Sequence, residues 1–403
     1  MKITSLQFAP WYRVCRRQRK VAKSPLVVLV ALLAVATLVS VQTGISERIH
    51  KKGMLSDATT FMKKRALTQT NDDSSFVYKD VTRSNERVLY MAFYFPQYHI
   101  APENKLAIKD GLEHYTDWDV LRANNRSLTP LVYYNLAADS EVFDRQDETA
   151  DKYGVGVFIF YHYWRENSLL LNLPVDHFIR KKRKTKFIFC WDNMSGFLGK
   201  QKYDSPEKHA YQLLRYFMNE NYLTDVYGRK PFIVYFTPGM DASYLRRLVI
   251  FLELHNVVVK VGHNYQKGRN FWDLPEWSQI ASEFAPHFEG GPTRSNLYKY
   301  LPRDPTPWEV GKEYWQGAIT SWDSRPRCNS VRTDQKRCGG HLKVPNGQVS
   351  VVEFGRQIQT IVANIHPKNK DRVVTLFAWN EWAEGAALEE SVELGLGFLE
   401  QLI

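Results

Sequence analysis

Seven short runs rich in β-branched and aromatic residues recur along this chain: Val88–Phe95, Gly156–Tyr161, Phe187–Trp191, Phe232–Phe236, Val257–Val261, Gly317–Ser321 and Val373–Phe377. They are apolar almost throughout rather than alternating, the pattern of strands buried on both faces of a parallel sheet. Stretches between them, such as Ser205–Asn219, Asp241–His255 and Ser350–His366, carry apolar residues at helical spacing. Strand followed by helix, repeated, predicts an α/β fold. No Gly-x-Gly-x-x-Gly loop follows the first run and no Walker sequence occurs anywhere. The pattern therefore favours a (β/α)8 barrel of TIM type over a dinucleotide-binding fold.

The residues at the end of each run point to a ligand class. These ends read Phe95-Pro-Gln-Tyr-His99, Tyr161-His-Tyr-Trp164, Trp191-Asp-Asn193, Tyr235-Phe-Thr-Pro238, Gly262-His-Asn-Tyr265, Ser321-Trp-Asp-Ser-Arg325 and Ala378-Trp-Asn-Glu-Trp-Ala-Glu384. In a (β/α)8 barrel they converge on the face that holds the active site. Tryptophan and tyrosine faces pack on the apolar side of sugar rings, while Asp, Asn, His and Arg bond to hydroxyls. A carbohydrate is the simplest ligand that uses all of them. Taken one at a time, such aromatics can equally cap the core.

Charge is distributed unevenly. Of the formal net charge of +11, residues 1–70 account for all, with 13 Lys/Arg against 2 Asp/Glu; the remainder holds 41 of each sign. A neutral body argues against nucleic acid as a partner, because phosphate binding needs a basic folded surface. The basic residues Lys2 to Lys23 precede the 16-residue apolar run Leu26–Val41. That order predicts a signal anchor with a cytosolic N-terminus, slightly short for an average bilayer but suited to a thinner early-secretory membrane. The expected layout is a basic cytosolic tail over residues 1–24, a transmembrane helix over 25–42, a polar stalk over 43–85 and the barrel over 86–403. The protein is then a single-pass type II membrane protein with its body in the secretory lumen, the Golgi being the expected compartment. A cleaved signal peptide is the alternative and would make it secreted.

Cysteine usage fits an oxidising lumen without requiring it. Cys15 falls on the cytosolic side, Cys190 lies in an apolar run and reads as a buried thiol, and Cys328 and Cys338 flank a short polar loop where they could form a disulfide. No Cys/His cluster has zinc spacing, so no metal is expected. Of the two glycosylation sequons, at Asn125 and Asn193, only Asn125 lies away from the expected site.

The carboxylates Glu381 and Glu384 directly follow the last strand run, between Trp379 and Trp382. If the chain turns helically there, residues three apart share a face with Cβ atoms roughly 5 to 6 Å apart. Such closeness suits glycoside chemistry with retention, for which about 5 to 5.5 Å is expected, better than inversion. Mutual repulsion and burial would then leave one acid and one base at neutral pH.

Met91-Ala-Phe-Tyr-Phe-Pro-Gln-Tyr-His99, Pro102-Glu-Asn104, Tyr115-Thr-Asp-Trp118, Tyr153-Gly-Val-Gly-Val-Phe158 with Tyr161-His-Tyr-Trp164, Phe189-Cys-Trp191, Trp322-Asp-Ser-Arg-Pro-Arg327 and Ala378-Trp-Asn-Glu-Trp-Ala-Glu-Gly385 together resemble the WbsX-like family. That family is regarded as glycosyltransferases of polysaccharide assembly and is similar to the endo-α-1,2-mannosidases of glycoside hydrolase family 99. The resemblance implies a (β/α)8 barrel and no metal or organic cofactor. It implies Glu381 as the base on the sugar 2-hydroxyl, which attacks C1 to give a 1,2-anhydro sugar, and Glu384 as acid and then base. Tyr94, His99, Tyr161, His162, Trp164, Trp191, Asn193, Trp322, Asp323 and Arg325, with Asn380 and Trp382 beside the carboxylates, would bind the substrate. In one motif the chain departs from the family, reading Cys190-Trp-Asp-Asn-Met-Ser-Gly196 where Cys-Trp-Ala-Asn-Glu-Asn-Trp is usual.

Two classes of function are implied. One is a glycosidase acting within an α-linked, mannose-containing glycan; the other is a glycosyltransferase. The absence of an Asp-x-Asp motif and of a phosphate-cradling glycine loop weighs against a nucleotide-sugar donor but not against a lipid-linked one. A non-catalytic, lectin-like barrel is a third reading, disfavoured by the two glutamates.

Overall fold

All the predicted strand runs described in the computed structural model pair as one parallel sheet. The structure describes residues 88–103, 115–123, 128–138, 141–193, 203–235, 241–262, 283–284, 313–323, 326, 350–365, 367 and 369–403. These lie within one unit, Phe76–Ile403. The expected tail, anchor and stalk, and Asn125, Arg325, Cys328 and Cys338, fall outside the described residues. Among the described residues, no helix is long and apolar enough to cross a membrane.

In chain order the elements are β1 (Leu89–Tyr94), α1 (Asp117–Ala123), α2 (Glu141–Lys152), β2 (Val155–Arg165), β3 (Ser168–Leu170), α3 (Leu173–Phe178), β4 (Lys186–Asp192), α4 (Pro206–Phe217), β5 (Lys230–Tyr235), α5 (Ala242–Glu253) and β6 (Val257–Gly262). They continue with β7 (Glu283–Phe284), β8 (Glu313–Tyr314), β9 (Gln316–Ile319), α6 (Val351–Ala363), β10 (Val373–Phe377), β11 (Asn380–Glu381) and β12 (Ala386–Ala387). The sheet runs β8-β7-β6-β5-β4-β2-β1-β10-β9, with β3 folded back antiparallel on β2. Its two ends, β8 and β9, are separated in sequence by Trp315 alone.

Local chemistry explains where the long helices start. Pro206 occupies the first turn of α4, where its missing N–H costs nothing, and the side chains of Asp241 and Ser350 accept the amides of Tyr244 and Glu353 to cap α5 and α6.

Strand register sorts the apolar residues onto two faces. Tyr94, Phe160, Phe189 and Phe232 are successive partners across β1, β2, β4 and β5, and so stand on one face. That face receives the helices: Phe143 of α2 meets Tyr94, Phe178 of α3 meets Phe158, Phe160 and Phe187, and Tyr216 of α4 meets Phe189. The other face carries Met91, Phe93, Val157, Ile159, Ile188, Cys190 and Ile233, all equally buried. No described helix packs there, so the sheet hides this face by curling on itself as a half-barrel. An open doubly wound sheet would put helices on both sides.

Candidate active site

The segment after β10 forms a hairpin, not the helical turn considered from the sequence. Asn380 and Glu381 pair antiparallel with Ala387 and Ala386, and the three residues Trp382–Glu384 between them make a single 3-10 turn. Gly385 closes that turn in the left-handed region at φ 62°, a conformation open to glycine at little cost. Glu381 thus leaves a strand and Glu384 ends the turn, three residues apart, at the mouth of the parallel sheet.

Each arm of the hairpin is tied to a different neighbour. On the β1 side, Asn380 Oδ1 accepts the Phe95 amide at 2.7 Å while its Nδ2 donates to the Phe95 carbonyl at 3.0 Å. The Tyr98 hydroxyl donates to the Asn380 carbonyl at 2.7 Å and accepts the Trp382 amide at 3.1 Å, bracketing Glu381. On the β9 side, the Asp323 amide donates to the Glu384 carbonyl at 2.6 Å and the Ser321 hydroxyl donates to the Gly385 carbonyl.

A buried carboxylate supports the hairpin from behind. Glu389 accepts hydrogen bonds from the Tyr134 hydroxyl at 2.7 Å, from Gln146 Nε2 at 2.5 Å and from the Trp382 indole at 3.0 Å. Gln146 in turn accepts the Tyr94 hydroxyl at 2.8 Å. Burial raises the pKa of Glu389, and the hydrogen bonds it accepts oppose that.

The sheet's inner face supplies the groups that look toward the glutamates. Tyr161 pairs in register with Cys190, and Asp192 with Tyr235, so all four share that face at the strand ends. The Tyr161 hydroxyl is pushed well above its ordinary range, by burial first and then by the charge of Glu381. Tyr235 is pushed up by burial, then by Asp192, Cys190 and Glu384. Both phenols therefore stay protonated as O–H donors facing carboxylates. Burial likewise raises the Cys190 thiol, which is free and inert in this setting.

Several residues expected at the site lie elsewhere. Tyr94 points to the helix layer, where its ring meets Phe143 and its hydroxyl meets Gln146. His162, Trp164 and Trp191 have the same parity and meet at His209 of α4: His162 Nε2 lies 2.7 Å from His209 Nε2, Trp164 stacks on the His209 ring at 4.6 Å and 5°, and Trp191 meets it edge-on at 4.7 Å. They are core. Asn380 and Trp382 are fully buried, their side chains bonded to Phe95 and Glu389, and His99 is buried with Nδ1 at 2.8 Å from the Pro96 carbonyl. Asn193 is buried beside the Tyr203 hydroxyl at 3.5 Å, while Trp322 is half-buried next to Asp323, whose backbone holds Glu384. Sequence reasoning left out Asp192 and Tyr235 on the inner face and Tyr98, Ser321 and Glu389 as supports of the hairpin. Period-two counting along β2 and β4 from Tyr161 and Cys190 would have found Asp192 and removed His162, Trp164 and Trp191. Among the described residues, no group of three or more His, Cys, Asp or Glu is arranged to hold a metal ion.

Comparison with known proteins bears on this geometry. The uncharacterized protein WxcX of Xanthomonas campestris pv. campestris is 26% identical over 354 residues, covering 77% of this chain and 48% of that protein. The chain thus spans about half the length of the curated relatives it matches. Among solved structures, a glycoside hydrolase-like protein superposes with a TM-score of 0.52 at 12% identity, over 82% of this chain and 96% of the other. The family 99 endo-alpha-mannosidase from Bacteroides thetaiotaomicron gives 0.47 at 13% identity, over 77% and 89%. The family described as Glycosyltransferase WbsX matches residues 90–251 and 296–402, a span that takes in β1 from Tyr90 onward, β2 to β5, β8 to β10 and the whole glutamate hairpin. More than half of the chain is accounted for in this way, and the protein belongs to the WbsX glycosyltransferase family.

Proposed function

We propose that this protein is a carbohydrate-active enzyme that cleaves α-linked glycans with retention, using Glu381 and Glu384 at the mouth of a closed (β/α)8 barrel. The observation that carries the reading is the pair of glutamates fixed three residues apart on one hairpin, Glu381 near Tyr161 and Glu384 near Tyr235. Closure of the barrel is supported by the single residue that separates β8 from β9 at opposite ends of the strand order.

In this mechanism Glu381 removes the proton of the sugar 2-hydroxyl as that oxygen attacks C1, and Glu384 protonates the departing glycosidic oxygen. Water then opens the 1,2-anhydro sugar at C1, giving its proton to Glu384 while Glu381 returns its own to O2. Two inversions at C1 leave the configuration unchanged. The Tyr161 and Tyr235 hydroxyls donate to the sugar and to the carboxylates as charge moves between them.

The family's description favours a second reading, transfer of the glycosyl unit to an acceptor hydroxyl in place of water. The same two carboxylates serve, with the acceptor as nucleophile. Location in the secretory pathway behind an N-terminal anchor is supported by the basic residues that precede the apolar run Leu26–Val41.

The test is incubation of the full-length protein with α-mannose-containing oligosaccharides, with no activated donor, beside the Glu381→Gln and Glu384→Gln variants, products being read by mass spectrometry. Shortened glycans from the wild type only support hydrolysis. Lengthened glycans that require a nucleotide-activated or lipid-linked donor replace that reading with transfer.

A further inference from the structure

Two loop segments at the glutamate end of the sheet lie side by side and hold apolar side chains out in solvent. Pro130 and Ser391 form an antiparallel bridge, the Leu131 amide donates to the Glu390 carbonyl at 3.1 Å, and the Val392 amide donates to the Thr129 carbonyl at 2.9 Å. Leu131 is 51% exposed, Val132 54%, Tyr133 37% and Val392 62%. A single exposed apolar residue needs no explanation, but several on one joined edge mark a surface that meets a partner.

This edge is tied to the candidate site. Tyr134, the residue after Tyr133, donates its hydroxyl to Glu389 at 2.7 Å and accepts Asn380 Nδ2 at 3.3 Å, while the Trp118 indole donates to the Tyr134 carbonyl at 2.6 Å. The edge therefore stands at the end of β1 and β10 that also carries Glu381.

The chemistry of the edge selects its partner. Its polar groups are engaged internally: Glu393 accepts both the amide and the hydroxyl of Thr129, each at 2.7 Å, and the Ser391 hydroxyl accepts the Leu394 amide at 3.1 Å. A sugar needs donors and acceptors, whereas a hydrocarbon layer admits backbone whose hydrogen bonds are already made. Tyr133 adds an aromatic ring with a polar tip, the kind of side chain that settles at headgroup level, and the Arg122 guanidinium stands 5.2 Å from that ring. Arg122 is exposed and reaches Asp119 at 3.4 Å through one nitrogen, which leaves further N–H donors for a lipid phosphate.

The chain outside the described residues supports the same partner. Residues 42–87 separate the apolar run over residues 26–41 from Val88. With that run in a bilayer, the body is tethered beside the membrane, and tethering raises the effective concentration enough for a small apolar contact to hold.

We propose that the edge formed by residues 131–133 and Val392 docks on a lipid bilayer, with Arg122 on the headgroups, and so sets the glutamate end of the sheet against the membrane. This rests on the reading of residues 26–41 as an anchor.

The test places the full-length protein in vesicles of phosphatidylcholine with a minor share of phosphatidylserine. It reads a fluorophore attached through Val132→Cys, corrected for labelling of the unsubstituted protein. Leu254→Cys, just beyond α5 and also exposed, is the control position. Nitroxide-bearing lipids should quench the fluorophore at position 132 about twofold or more and leave the one at position 254 bright. Val392→Cys reads the same contact from the other segment and decides the matter if the first variant does not fold. Vesicle-bound protein with position 132 left in water keeps the anchor and overturns the proposal, as does stronger quenching at position 254. Self-quenching at position 132 that grows with protein concentration assigns the edge to a second copy and also overturns it. Protein that stays off the vesicles altogether removes the anchor reading, and the proposal with it.

Discussion

Asn380 and Phe95 exchange two hydrogen bonds across 285 positions of sequence, the side-chain amide of one matching the backbone N–H and C=O of the other as a strand neighbour would. Through this pair the hairpin that carries Glu381 is joined to the end of β1. Asn380→Ala leaves both Phe95 groups buried without their partners, at roughly 1 to 3 kcal/mol each. The expected outcome is a denaturation midpoint lowered by the equivalent of about 3 kcal/mol, with loss of activity. Asn380→Asp should fare no better, since it puts a carboxylate oxygen against the Phe95 carbonyl.

Much of this arrangement is legible in the sequence and some is not, for physical reasons. The run Val373–Phe377 is a strand with the same bounds in the structure, because a fully buried parallel strand leaves a continuous apolar signal. The two-residue strands β7 and β8 leave none, since two residues establish no periodicity. At the strand ends, residue type pointed to sugar while parity decided placement. Tyr161 and His162 look alike as ligand candidates, yet adjacent strand residues face opposite ways, and His162 meets α4. The hairpin itself depends on Gly385 adopting positive φ and on Tyr98, Asn380 and Ser321 meeting from distant strands, which no local pattern encodes.

Glu389 is expected to matter more than its distance from the reaction implies. Its carboxylate is the common acceptor for Tyr134, Gln146 and Trp382. Glu389→Ala strands three buried donors and should cost about 3 kcal/mol or more, seen as a lowered midpoint in urea. Glu389→Gln keeps one acceptor oxygen and removes the buried charge, so its loss should be clearly smaller. Equal losses would show that charge, not acceptor number, holds the network.

The buried histidines give the fold a defined acid sensitivity. Burial lowers the pKa of His99 from 6.5 to about 4 and that of His162 from 6.5 to about 3, and His209 is also lowered, first by burial and then by His162. In the unfolded chain these imidazoles take up protons near pH 6.5, whereas the folded ones stay neutral well below it. The unfolded state binds more protons, so stability falls as pH drops below about 6.5. At pH 5 the loss should be about 2 kcal/mol for each of His99 and His162. Chemical denaturation at pH 7 and pH 5 measures it, and His162→Gln should flatten the difference. An unchanged slope in that variant would assign the acid sensitivity to other groups.

The two glutamates are held by separate anchors, and this allows their roles to be tested without touching either. Tyr98 bonds the backbone on both sides of Glu381, whereas Ser321 bonds the residue after Glu384. Tyr98→Phe should therefore loosen Glu381, and Ser321→Ala should loosen Glu384, each lowering kcat on an ordinary glycoside roughly 10-fold or more as the group leaves its productive position. The substrates should then separate them. A glycosyl fluoride has a leaving group that needs little protonation, so an enzyme impaired only in its general acid recovers with it. Recovery is expected for Ser321→Ala and not for Tyr98→Phe, because attack by the 2-hydroxyl still requires its base whatever group departs. If Tyr98→Phe recovers and Ser321→Ala does not, the assignments of Glu381 and Glu384 are reversed.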